Sequence, residues 1–168
     1  TGAAHNGHWH PKLHGEHVVD LCGWGGFREF AQQIYHADGI ICGVTAAMHM
    51  AAALHKPCVV IAGGREAYWW EAYVRENKGL GDARKQLTVP HRFLHTIGLL
   101  DCCSHFGCWK NKVVPFGNDK LICKRPITTT AQPVAECMQM ITPHHVMTAV
   151  ESYYHDGTLP PYPNQEMP

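Results

Sequence analysis

The apolar positions of this chain fall into short blocks with two different spacings. "GIICG" (residues 39–43) and "PCVVIAGG" (residues 57–64) are nearly unbroken apolar runs of strand length, each closed by glycine. A run without polar alternation suits a parallel strand covered on both faces. "EHVVDLCG" (16–23) predicts a shorter strand ending in glycine, and "RFLHTIG" (92–98) a further one. Between them the spacing becomes that of a helix. "FREFAQQIYHAD" (27–38) sets Phe27, Phe30, Ala31, Ile34 and Tyr35 at helical intervals. "TAAMHMAAALHK" (45–56) is rich in alanine, the best helix former, and stops at Pro57. "TPHHVMTAVESYYHDG" (142–157) has Thr142 as a natural N-cap, Pro143 at the first helical position and Gly157 just past the end. Strands alternating with helices in this way predict an α/β domain with a doubly wound parallel sheet over residues 1–157. A proline-rich tail (158–168) follows, and "ENKGLGDARKQ" (76–86) reads as a polar loop.

Composition narrows the picture. The chain has 168 residues, 45% of them hydrophobic, which suffices for one domain with its own core. Lysine and arginine balance aspartate and glutamate, so the net charge of zero argues against a nucleic-acid partner. No run of about 18 apolar residues predicts a membrane span. The opening "TGA" lacks a methionine and the pattern of a signal peptide, so the chain reads as starting within a longer protein. Of the eight cysteines, Cys22, Cys42 and Cys58 lie in or beside apolar runs, as small hydrophobes do, and the other five fall between Cys102 and Cys137. This uneven use predicts a reduced, cytoplasmic protein with one special cysteine region, about 101–137.

The candidate chemistry begins where the first long strand ends. In an open parallel sheet, ligands bind beyond the carboxyl ends of the strands. The loop Gly43-Val44-Thr45 lies at such an end, and the helix after it offers unpaired N–H groups and a positive dipole end to an anion. Thr45 either caps that helix or gives its hydroxyl to a phosphate. Ala46 and Ala47 are small enough to let a ligand approach the backbone. His49, in the first turn, either adds a hydrogen bond or charge or is a plain surface residue. Arg65, just after "AGG", either reaches the same anion as a bidentate donor or pairs with Glu66 or Glu71 in solvent. Trp69, Trp70 and Tyr73 are a stacking wall for a nucleobase, core, or a face meeting another domain.

"GVTAAMHMAAALHKP" resembles the signature of the family 9 glycosyltransferases, the ADP-heptose:lipopolysaccharide heptosyltransferases. Thr45 falls on the family's Thr or Ser, His49 on its His, residues 51–54 on its alanine-rich run and Pro57 on its proline. The resemblance extends over about residues 18–64 and more loosely to "ITPHHVMTAV". Two positions depart from it: Val44 stands where the family has Asp, and Ala46 where it has Gly. The family's Asp helps hold the donor sugar, so the departure bears on which sugar is held. The resemblance implies a Rossmann-like fold, the C-terminal, donor-binding half of the two-domain GT-B architecture, incomplete at its N-terminus. It implies a sugar, heptose among the candidates, moved from a nucleoside diphosphate to a lipopolysaccharide-type, other glycan or lipid-linked acceptor. The work would be done in the cytoplasm at or near the inner membrane surface. Donor contacts would come from Val44, Thr45, Ala46, His49 and Arg65, and the catalytic base from the other domain. No metal or other cofactor is required by this scheme. The rival readings are a non-catalytic α/β binding or assembly module derived from that fold, and another Rossmann-type enzyme such as a sugar-nucleotide epimerase. The latter lacks its Gly-x-Gly-x-x-Gly fingerprint here.

Two clusters remain. Cys102, Cys103, Cys108 and Cys123, with His105 and Cys137 nearby, could form a structural zinc site, a disulfide, or a set of free thiols. "HNGHWHPKLHGEH" (5–17) places five histidines in a loop-like stretch, where His8 and His10 either line the donor cleft or are exposed loop residues.

Overall fold

A computed structural model describes residues 14–66, 73–75, 86–87, 89–104, 107–108, 123–128 and 133–156. The tail from 158 onward lies outside the described residues.

The first helix, α1 (Phe27–His36), is fixed at its start by a carboxylate. The Gly26 amide donates to Glu29 Oε2 at 2.8 Å. Backbone hydrogen bonds hold the Glu29 carboxyl below its ordinary range, and its charge suits the positive end of the helix. Ile34 is buried and Phe30 packs on the core, whereas Phe27 and Tyr35 remain exposed. The expected apolar face is therefore narrower than its spacing implies. Strand β1 (Ile40–Gly43) follows, then α2 (Ala46–Ala53), then β2 (Cys58–Gly63). After two short strands, β3 (Val74–Arg75) and β4 (Gln86–Leu87), which pair antiparallel, comes β5 (His91–His95).

Strands β1, β2 and β5 form one parallel sheet in that order. Ile40 is level with Cys58 and Gly43 with Ile61; Cys58 is in turn level with His91. Alternate side chains divide between the two faces. Cys58, Val60, Ala62 and Phe93 meet Met48, Ala51 and Ile34 of the two helices in one core layer. Val59 and Leu94 meet Ala149, Val146 and Val150 of the last helix in the other. That helix, named α4 below, spans Pro143–Asp156. Helices on both faces make the sheet doubly wound, as the alternation predicts. Burying side chains such as Phe93, Met48 and Val60 contributes about 1.5–3 kcal/mol each.

The expected strand at 16–23 is not formed. The segment runs as turns with its side chains largely exposed, closed by hydrogen bonds from Val18 N–H to Gly15 and from Trp24 N–H to Leu21. Gly23 and Gly25 both take positive φ, at 76° and 71°, which ends any extended run. The Cys22 amide is instead satisfied by Asp20 Oδ1.

Downstream, a 3₁₀ turn (Asp101–Cys103), a two-stranded ladder of β6 (Pro126–Ile127) and β7 (Val134–Ala135), and the one-turn helix α3 (Glu136–Gln139) gather at the carboxyl end of β2. No helix among the described residues is long and apolar enough to cross a membrane.

Candidate functional site

The loop after β1 is shaped by its backbone. Thr45 is extended, with φ −148° and ψ 178°, and so takes the N-cap position of α2. Its hydroxyl does not cap the helix; it donates to the Gly43 carbonyl at 3.4 Å. The Thr45 carbonyl accepts from Met48 N–H at 3.0 Å and more weakly from His49 N–H at 3.4 Å. The Ala46 and Ala47 amides donate to no described group. Thr45 and Ala46 are exposed, so this end of α2 faces solvent and is not plugged by described side chains. Val44 turns inward and packs on the core. It contributes backbone to the loop, not a polar side chain.

His49 is exposed on α2, and its Nδ1 lies 2.8 Å from Tyr73 Oη. The two rings meet edge to face at 6.0 Å, and Tyr73 in turn stands edge-on to His91 at 6.4 Å. His91 opens β5 on the α2 side of the sheet and is fully buried, with neither ring nitrogen partnered among the described residues. Burial, and then the charges of His49 and His55, push its pKa down to about 4. His91 is therefore held neutral at physiological pH.

Arg65 is exposed two residues beyond β2. Because Gly43 is level with Ile61, the Thr45 loop and the Arg65 loop leave the same edge of the sheet. His8, His10, Trp69 and Trp70 lie outside the described residues. Tyr73 lies within the described residues, hydrogen-bonded to His49 and edge-on to buried His91.

None of the eight cysteines is joined to another by a disulfide. The expected group of Cys102, Cys103, Cys108 and Cys123 is not assembled as such. Cys103 donates its S–H to the Thr96 carbonyl at 3.2 Å. Among the described residues no three His, Cys, Asp or Glu side chains are grouped so as to hold a metal ion. Cys103 and Cys137 lie against the Gly63–Gly64 turn. Apart from these features, a cleft of about 190 Å³ opens at the starts of β1 and β2, lined by Ile40, Ile41, Val59, Val150 and Tyr153. It lies at the opposite end of the strands from Thr45 and holds none of the sequence-predicted residues.

Sequence reasoning missed His91. The alternation of His91, Phe93 and His95 places all three on one face of a strand, and that signal was readable once the strand was assigned. Nothing in the pattern indicated that Tyr73 would reach His49.

A family model described as Glycosyltransferase family 9 (heptosyltransferase) matches residues 3–90, more than half of the chain. The matched span includes α1, β1, α2 and β2, and with them Thr45, His49, Arg65 and Tyr73. No curated protein and no solved structure matches.

Proposed function

This chain belongs to glycosyltransferase family 9, and from that membership we propose that it binds the donor of the transfer, a nucleoside-diphosphate sugar, at the start of α2. The observation that carries the reading is the start of α2, where the Ala46 and Ala47 amides have no partner among the described residues and Thr45 and Ala46 are exposed, at the carboxyl edge of a parallel sheet. A diphosphate suits such an end because N–H groups and the helix dipole both favour negative charge.

In the reaction an acceptor hydroxyl attacks the anomeric carbon, the bond from that carbon to the diphosphate breaks, and the hydroxyl proton passes to a base. Negative charge grows on the departing diphosphate. Donors already fixed in place meet that charge without reorganising. We assign this task to the Ala46 and Ala47 amides, with Thr45 as a further donor and His49, oriented by Tyr73, as a donor or cation. Arg65 is assigned as a second cation on the same edge. The family description favours a heptose as the sugar, and we propose a lipopolysaccharide-type glycan as the acceptor. Val44 offers no carboxylate to the sugar, so sugar selection in this chain falls to other groups.

Isothermal titration calorimetry with ADP tests the reading. Binding is expected, and His49→Ala weakens it about tenfold or more, the scale of losing a charge-assisted hydrogen bond. Thr45→Ala weakens it to a smaller extent. A chain that ignores ADP, UDP and GDP alike is a binding module that has lost donor chemistry.

A further inference from the structure

A hydrogen bond between His49 and Tyr73 reaches the first turns of α2 from a distant part of the chain. Thr45 is the N-cap of α2, so His49 lies just past its first turn. A helical side chain leans back toward the N-terminus of its helix, so the His49 imidazole covers the turn that opens α2. Its Nδ1 lies 2.8 Å from Tyr73 Oη, and the two rings meet edge to face. Tyr73 is framed on two sides. It immediately precedes β3, whose Val74 is level with Leu87 of β4. Its ring also stands edge-on to His91, the fully buried first residue of β5. The entry to β5 is fixed in turn by the Cys58 amide, which donates to the Pro90 carbonyl at 3.0 Å. An exposed side chain of α2 is thus tied to the sheet through one tyrosine.

From this geometry we propose that Tyr73 is a positioning residue for the donor: its hydroxyl donates to His49 Nδ1 and so fixes the imidazole as the Nε2–H form, the form that can donate to a diphosphate through Nε2. This role rests on the donor reading above, and it commits His49 to one task there, hydrogen-bond donation through Nε2.

A neutral imidazole has two tautomers, and the hydrogen bond made by one nitrogen decides which of them keeps the proton. A phenol O–H is a good donor and the unprotonated ring nitrogen a good acceptor, so the contact between them is met with the proton on Tyr73. Diphosphate oxygens accept hydrogen bonds, and charge-assisted bonds to them are the strong ones. The nitrogen that meets them must therefore carry hydrogen. The opposite tautomer would turn a lone pair toward the anion. Tyr73 removes that form before the ligand arrives, and it holds a ring whose ordering would otherwise be charged against binding. In this scheme Tyr73 acts through His49 alone.

Isothermal titration calorimetry with ADP at pH 8 compares the unaltered chain, Tyr73→Phe, His49→Ala and the double variant. Phenylalanine keeps the ring and removes the hydroxyl alone. Tyr73→Phe should weaken ADP binding about fivefold, the scale of one hydrogen bond. In the His49→Ala background the same change should cost less than about twofold, because the two residues act as one unit. Long-range ¹H–¹⁵N spectra of the histidine rings supply a readout that needs no variant: His49 should carry its proton on Nε2 in the unaltered chain. In Tyr73→Phe it should become a mixture of the two tautomers. Unchanged ADP affinity in Tyr73→Phe overturns the role of Tyr73. So does an equal loss with and without the His49 side chain, or a His49 ring protonated on Nδ1 or on both nitrogens in the unaltered chain. Each of these leaves the donor reading standing. An unaltered chain that does not bind ADP, UDP or GDP overturns the donor reading, and the role of Tyr73 falls with it.

Discussion

His91 shows what a single side chain costs in the wrong medium. It is fully buried, with both ring nitrogens unpartnered among the described residues. Leaving such groups unmet costs about 1–3 kcal/mol. Its folded pKa of about 4 lies below the ordinary value of 6.5. The unfolded chain therefore takes up the proton first as acid is added, and stability falls as pH drops from 6.5 through 4. The gap is worth roughly 3 kcal/mol in full, of which roughly 2 kcal/mol is lost by pH 5. Urea denaturation at pH 7 and pH 5 should show His91→Leu losing less stability between the two than the unaltered chain does. Equal losses would contradict the burial of His91 as a neutral ring. The same scale sets the limit of sequence reading. Thr45 and His49 were legible because a helix start and a glycine-bounded strand frame them. Arg65 was legible as lying at the carboxyl end of β2 because it directly follows the "AGG" that closes that strand. The His49–Tyr73 contact was not legible, since it joins residues 24 positions apart through a segment with no periodic signal.

At the level of elements, α2 is the most fully specified piece. Its alanines supply propensity, Met48 and Ala51 pack into the core, and Pro57 prevents continuation. Its end is more particular than the sequence suggests. His55 takes a left-handed φ of 52°, and the chain closes with His55 N–H to Ala52 and Lys56 N–H to Ala51. This is the double hydrogen bond of a Schellman cap with histidine in the place usually held by glycine. His55→Gly should be neutral or stabilising by up to about 1 kcal/mol, because relief of the left-handed strain offsets the added chain entropy. His55→Val should destabilise by about 1–2 kcal/mol, since β-branched residues resist this region. Thermal denaturation of the two variants checks the order; a valine variant as stable as the glycine one would contradict it. The failed expectation at 16–23 has the opposite cause. Its apolar pair Val18-Val19 looks like a strand, but the positive-φ glycines at 23 and 25 and the Asp20 side chain give its backbone local turns to adopt instead of a ladder.

For the molecule as a whole, the alternation of strand and helix was enough to read a doubly wound α/β fold. Each of the three long apolar blocks became a parallel strand, and the alternate residues of β2 divide between two helical layers. The assembly of the cysteine-rich segment was not readable. Cys137 is 73 residues from Gly64 in sequence, and only the fold puts the two in contact. Family membership identifies a glycosyltransferase, and the central claim is that its donor diphosphate rests on the amides opening α2. An NMR titration of the ¹⁵N-labelled chain with ADP tests this most directly. The account predicts the largest amide shifts at Thr45, Ala46 and Ala47, smaller ones near His49 and Arg65, and little change at Ile41, Val150 or Tyr153. Shifts concentrated in the cleft at the strand starts, with the α2 amides unmoved, would contradict it.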